Sequence, residues 1–74
     1  MTRQEVQWRC RRSILELDVL MTHFFMHYYD DLSSKNQSQF MALLQLEDQD
    51  IMSMLFYQKE KSELLDLLRQ QINR

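Results

Sequence analysis

Apolar residues recur at spacings of three and four along most of this chain, which is the periodicity of amphipathic α-helices. Polar and charged clusters interrupt this pattern and divide it into segments. We therefore predict five helices: the first from near Thr2 or Arg3, the second over about Leu15 to Tyr29, the third over about Lys35 to Leu46, a short fourth carrying Ile51, Met54 and Leu55, and a fifth from near Ser62.

The second segment is the longest and most apolar, so we expect it to be the central helix of the fold. Its apolar stripe consists of Leu17, Leu20, Met21, Phe24, Tyr28 and, beyond the helix end, Leu32. The third helix is expected to bury Phe40, Leu43 and Leu44, and the fifth to bury Leu64, Leu65, Leu68 and Ile72.

Helix ends can be predicted from the polar residues that border each segment. Ser33 or Ser34 is the expected N-cap of the third helix, and Asp48 that of the fourth, because these side chains accept hydrogen bonds from free backbone N–H groups. Arg69 and Arg74 lie near the end of the fifth helix, where a positive charge is favourable.

The first helix has two contrasting sides. Val6 and Cys10 lie on one side, whereas Trp8 and Arg12 lie on the other. We expect Trp8 to be half-buried against a neighbouring helix, as tryptophan usually is; display at the surface is the alternative.

Composition supports an all-α fold. The chain has 74 residues without glycine or proline, and tight hairpin turns normally need glycine at positive φ. Short connections favour antiparallel neighbours. We predict a compact antiparallel five-helix bundle, with residues 1–74 forming a single domain.

The sequence offers little support for catalysis or for a metal or nucleotide site. His23 and His27 share a helix face, but no third or fourth ligand is evident, so no metal is expected. Without glycine there is no phosphate-binding loop, and we expect neither catalysis nor stable binding of a nucleotide cofactor by this chain alone. Cys10 is expected to be a small buried apolar residue in a reducing compartment.

The junction between the first two helices concentrates charge in the stretch from Arg11 to Asp18. Within a continuous helix, Arg12 and Glu16 would form a surface ion pair of about 0.3–0.5 kcal/mol. Alternatively, this mixed-charge corner is an interface, because arginine and tryptophan often dominate binding energy.

Arg12 and Glu16 match the charged ends of the Arg-Gly-x-x-Glu hallmark of the SdhE-type FAD assembly factors, which this chain resembles from about Val6 to Phe56. Arg11, Asp18 and the later His27, Tyr29 and Asp30 extend the similarity. Ser13 departs from the pattern, because the family has glycine at this position.

The resemblance implies a non-catalytic assembly factor of the bacterial cytoplasm, monomeric or weakly dimeric and not inserted in a membrane. It would bind the flavoprotein subunit of succinate dehydrogenase, or that of fumarate reductase, and promote covalent attachment of FAD to that partner. We expect Arg12 and Glu16 to contact the partner. The expected supporting residues are Trp8, Arg11, Ser13 and Asp18.

Two other functions are compatible with the charge pattern. Residues 1–12 carry four arginines and one glutamate, whereas the remainder is acidic and the net charge is −2. The arginine cluster could bind nucleic acid, although no helix has the basic polar face of a recognition helix. The same surface could also belong to an antitoxin-like regulatory module that binds another protein.

Overall fold

A computed structural model describes residues 2–58 and 60–72, and these ranges are mostly helical. The five helices are α1 (Arg3–Arg9), α2 (Leu15–Tyr28), α3 (Ser34–Leu44), α4 (Asp48–Met52) and α5 (Glu63–Ile72). A 3₁₀ turn over Tyr29–Asp31 follows α2, and a π-helical segment over Ser53–Tyr57 continues α4. The predicted all-α, five-helix fold is confirmed.

Hydroxyl side chains cap three of the helices. Thr2 Oγ1 accepts a hydrogen bond from Glu5 N at 3.2 Å, and Ser33 Oγ accepts one from Asn36 N at 3.2 Å. Ser62 Oγ accepts from Leu65 N at 3.0 Å. Each bond satisfies an N–H group that has no partner within its own helix. Ser33, rather than Ser34, is therefore the cap of α3.

The predicted cap of α4 is wrong by one residue. Glu47 occupies the N-cap position without a side-chain bond, and Asp48 is the first residue of the helix. The carboxylate of Asp48 is directed instead to the segment between α1 and α2. A long-range contact has thus replaced the local cap.

One cluster of buried side chains joins all five helices. α2 contributes most to it and packs against α5, while α3 packs against α5 and α1 against α3. The fully buried large side chains include Phe24, Phe25 and Phe40, each worth about 1.5–3 kcal/mol of transfer free energy. The predicted central position of α2 follows from this burial.

The edges of the predicted core differ from expectation. Tyr28 and Leu32 are only half-buried, since the stripe of α2 leaves the core where the 3₁₀ turn begins. Ile72 is 38% exposed at the last turn of α5. Met54 is half-buried, whereas Ile51 and Leu55 are buried as predicted.

Arg69 does not cap its own helix. Its guanidinium donates to the carbonyl oxygens of Leu55 (2.9 Å), Met54 (2.8 Å) and Glu60 (2.6 Å) around the end of the π-helical segment. The positive charge therefore stabilises the C-terminal end of a different helix. The other predicted arginine, Arg74, lies outside the described residues.

None of the helices in the described ranges has the length and hydropathy needed to cross a membrane.

Candidate partner-binding site

The chain leaves helical geometry between α1 and α2, over residues 10–14, which we call the elbow. α1 tightens as it ends, because Cys10 N and Arg11 N bond to the carbonyls of Gln7 and Trp8 at 3.2 Å each. Ile14 is extended, with φ −79° and ψ 121°. The backbone N–H groups of the elbow therefore need partners from outside a helix.

Asp18 supplies one partner from the first turn of α2. Its Oδ1 accepts from the backbone N–H of Arg12 at 2.8 Å and from Nε of Arg11 at 3.2 Å. The side chain of Asp18 is 23% exposed, whereas that of Arg11 is 78% exposed. Asp18 thus faces the elbow, and Arg11 remains open to solvent.

Asp48 supplies the other partner from the start of α4. Its Oδ2 accepts from the backbone N–H groups of Ser13 at 3.0 Å and Ile14 at 3.2 Å. Its Oδ1 lies 3.3 Å from Nη1 of Arg12. One carboxylate therefore joins three successive residues of the elbow to another helix.

Arg12 is mostly enclosed. Its side chain is 10% exposed, and its guanidinium donates to the carbonyl of Leu46 at 2.9 Å and also to that of Leu44. The carbonyl of Leu44 ends α3, where no intrahelical donor remains, and that of Leu46 follows in the connection to α4. Arg12 therefore binds the protein itself, and its predicted contact with a partner stays a prediction.

The ion pair considered between Arg12 and Glu16 is replaced by a pair between Arg12 and Asp48. The spacing of four residues brings side chains together only within a continuous helix. Here Arg12 precedes α2, so the rule does not apply. The carboxylate of Glu16, which the considered pair would have used, lies exposed at the surface.

Apolar side chains continue the surface beside the elbow. Leu15 is 69% exposed and Val19 is 60% exposed on α2. They line a groove with residues of the π-helical segment and α5, including Tyr57, which is 75% exposed. Such exposed apolar side chains in one groove are typical of interaction surfaces.

Trp8 is 82% exposed, so the expectation of a half-buried tryptophan is wrong. The side of α1 that faces the core carries Val6 and Cys10, which are both fully buried. Trp8 lies on the opposite side, which none of the described helices covers. Arg9 lines both the hollow beside Trp8 and the hollow over the elbow, which makes the two surfaces neighbours.

Cys10, His23 and His27 are the other candidate groups of the sequence. Burial raises the pKa of the Cys10 thiol to about 12, and Sγ donates to the carbonyl of Val6 at 3.3 Å. The thiol is therefore protonated and a poor nucleophile at neutral pH. His23 and His27 are exposed with ring centroids 4.3 Å apart. Within the described ranges, no group of three or more potential ligands could hold a metal ion.

The N-terminal arginines are largely engaged with acceptors of this chain. Arg3 donates to both carboxylate oxygens of Asp30, at 3.0 and 2.9 Å, and Arg11 binds Asp18. Arg12 binds Asp48 and two carbonyls. Carboxylates next to three of the four arginines weaken the positive field that a phosphate backbone requires.

Comparison with known proteins identifies the family. A family model described as "Flavinator of succinate dehydrogenase" matches residues 4–73. The chain belongs to this family. The resemblance drawn from the Arg11–Asp18 stretch is thereby confirmed.

Curated relatives carry the name FAD assembly factor SdhE. One from Vibrio cholerae is 44% identical over 46 residues, covering 62% of this chain and 54% of the relative. One from Pseudomonas aeruginosa is 39% identical, covering 89% and 77%. One from Idiomarina loihiensis is 35% identical, covering 97% and 82%. The Vibrio alignments span only about half of those relatives' length. No solved structure matches this chain.

Asp48 is the residue of this site that sequence reasoning missed. It contacts residues 34 to 36 positions away, and no periodic pattern connects residues that are so distant in the chain. One signal was available in the sequence: the backbone N–H groups of a non-helical segment need hydrogen-bond acceptors from elsewhere in the chain. Asp18, which was predicted, supplies only part of them.

Proposed function

We propose that this chain is an assembly factor that binds the flavoprotein subunit of succinate dehydrogenase and promotes covalent attachment of FAD to that subunit. The proposal extends to the related subunit of fumarate reductase. The observation that carries it is the elbow together with the first turn of α2, which lie in the family-matched region and expose Arg11, Ser13 and Glu16 beside a hydrogen-bonded scaffold.

The scaffold explains how a small protein can present a defined surface. Asp18 and Asp48 hold the backbone of the elbow from two sides. The exposed side chains of Arg11 and Glu16 then offer one positive and one negative group beside this scaffold. An arginine fork can bind a carboxylate or carbonyl of the partner, and Glu16 can accept from its donors.

Ser13 fits this role despite replacing glycine. Its N–H donates to Asp48, and the residue is exposed. The added hydroxymethyl group therefore faces outward from the protein. We expect the fold to tolerate serine here, while the partner surface must accommodate the larger side chain.

The elbow alone is too small for a stable complex. A typical specific interface buries about 800 Å² on each partner, and the described surface totals 5136 Å². Leu15 and Val19 on α2, and Trp8 on α1, provide additional exposed apolar area on either side of the elbow. We propose that Trp8 is an anchor, as tryptophan often is at binding hot spots.

The contribution to flavin attachment is proposed to be positional. Binding would hold the partner's FAD and its acceptor side chain in a reactive arrangement, which can supply several kcal/mol without an acid or base from the helper. The protonated state of Cys10 is consistent with a non-catalytic role. FAD is attached to the partner in this proposal, and neither His23 nor His27 is the acceptor.

Covalent flavin on the partner subunit provides the test. In cells lacking their own assembly factor, we expect Glu16→Ala and Arg11→Ala to lower both the affinity for the subunit and its covalent flavin by about tenfold, which corresponds to about 1.4 kcal/mol of binding free energy. Covalent flavin is read by fluorescence of the denatured subunit in a gel.

The matched control is Glu63→Ala, which removes an exposed glutamate from the first turn of α5. It should support normal flavinylation. Arg11 and Glu16 are not contact residues if both variants, at normal protein levels, flavinylate the subunit as well as the unmodified chain does. The proposed function itself is wrong if the unmodified chain does not restore covalent flavin in these cells.

A further inference from the structure

The elbow needs a rigid support because its own backbone forms no regular element. Residues 10–14 lie between the end of α1 and the start of α2. A segment of this kind can adopt many conformations unless other groups fix it. Any conformational freedom that remains before binding reduces the affinity, because the partner must then order the segment.

Asp48 is the group that ties this segment to the rest of the fold. It accepts from Ser13 N and Ile14 N through Oδ2 and pairs with Arg12 through Oδ1. Its side chain is only 15% exposed, so these bonds are partly shielded from water and strengthened accordingly. Asp18, in contrast, lies on α2 and constrains only Arg11 and Arg12.

Resting on the function proposed above, we infer that Asp48 is the positioning residue of the docking surface: it holds residues 12–14 in the conformation that the flavoprotein subunit recognises. Asp48 need not touch the partner. Its effect reaches the interface through the backbone of Ser13 and Ile14 and through the guanidinium of Arg12.

The side chain of Arg12 also joins the elbow to the region between α3 and α4. Its guanidinium contacts Asp48 and the carbonyls of Leu44 and Leu46, which lie just before α4. The end of α3, the start of α4 and the elbow therefore form one hydrogen-bonded unit. A change in Asp48 should disturb the elbow first, because all three of its elbow contacts depend on one carboxylate.

The test is Asp48→Asn, which keeps the size of the side chain but replaces one acceptor oxygen by an NH₂ donor. We expect the amide hydrogens of Ser13 and Ile14 to exchange with solvent at least tenfold faster in NMR experiments. The dissociation constant for the flavoprotein subunit should rise by about tenfold in calorimetric titrations. The amide of Arg12, bonded to Asp18, should change less.

The matched control is Asp50→Asn, an identical change of charge two residues further along α4 at an exposed position. It should leave amide exchange and affinity unaltered. Arg69→Ala provides a second control, because it lowers stability at a corner remote in sequence from the elbow and should leave affinity for the subunit unchanged in the folded fraction.

If Asp48→Asn does not fold, Asp48→Glu retains the charge that holds Arg12 but displaces the second oxygen, and it should change both measurements in the same direction. Unchanged exchange at Ser13 and Ile14, or faster exchange with unaltered affinity, would overturn the inference. If Arg11→Ala and Glu16→Ala also bind normally, the choice of these two contact residues is wrong; if the unmodified chain does not bind the subunit, the proposed function itself has failed. If those two variants bind weakly while the Asp48 variants bind normally, only this inference has failed.

Discussion

Two corners of the molecule use the same local chemistry for different purposes. At the first, Arg12 donates to the carbonyls that end α3; at the second, Arg69 donates to those that end the π-helical segment. In each case a guanidinium satisfies acceptors that a helix C-terminus leaves free. Each arginine also pairs with an aspartate.

The difference lies in what each aspartate does. Asp66 is three residues before Arg69 on α5 and is 61% exposed, so its pair is local and hydrated. Asp48 is 36 residues from Arg12, 15% exposed, and also bonded to Ser13 and Ile14. The Arg69 corner holds the connection between the π-helical segment and α5, whereas the Arg12 corner holds the backbone of the elbow.

This comparison shows that the arginine of the family motif is bound within the chain itself. Arg12 occupies the first position of the Arg-x-x-x-Glu pattern, yet its guanidinium binds other parts of the same chain. Glu16, at the other end of the pattern, is exposed. One motif thus combines an enclosed arginine, bonded within the chain, with an exposed glutamate.

The largest effect is expected from Arg12→Ala. It leaves the shielded Asp48 carboxylate without its cation and two carbonyls without donors, which should cost about 3 kcal/mol of unfolding free energy. Arg69→Ala should cost about 2 kcal/mol, because its surroundings are more accessible to water. Urea titrations followed by circular dichroism measure both values, and a smaller loss for Arg12→Ala would contradict the comparison.

An intermediate effect is expected on the reactivity of Cys10, which is the first residue of the elbow. Raising the pKa of this thiol from 9.0 to about 12 lowers its thiolate fraction at neutral pH by about 1,000-fold, so native labelling should require local opening. Arg12→Ala should accelerate labelling by about tenfold more than Arg69→Ala does. Mass spectrometry after timed alkylation at neutral pH provides the rates.

The labelling experiment has an internal standard, because the unfolded chains of both variants should react at one common rate. Accelerations that simply follow the two variants' losses of unfolding free energy would mean that Cys10 reports global unfolding and that the two corners are equivalent in this respect.

The smallest effect is expected at the exposed pair between Arg3 and Asp30. The hydrogen bond from Arg3 lowers the pKa of Asp30 below its usual value of 3.8, so the pair contributes stability above that value and loses it as the pH falls through the lower, folded pKa. The difference in melting temperature between the unmodified chain and Asp30→Asn should therefore shrink below about pH 4.

Both side chains of this pair are more than half exposed, at 55% and 64%, so the difference at pH 7 should be small and should diminish with added salt. A difference that persists unchanged in acid would show that Asp30 acts through something other than its charge.

The sequence by itself determined the helical fold and the core. The apolar stripe of α2, from Leu17 to Phe24, is buried as predicted, and Ser33 begins the third helix through its own hydroxyl. These features depend on residues within one or two helical turns of each other. Such local interactions can be predicted from the spacing of apolar residues and from the capping residues in the sequence.

Only the tertiary structure decided which side of the elbow faces inward. The exposure of Trp8, the enclosure of Arg12 and the role of Asp48 depend on where α3 and α4 pack relative to residues 10–14. A charged side chain lowers its free energy by finding any nearby group of opposite polarity, whatever its distance along the chain. That choice is made when the helices pack together, and no local pattern encodes it.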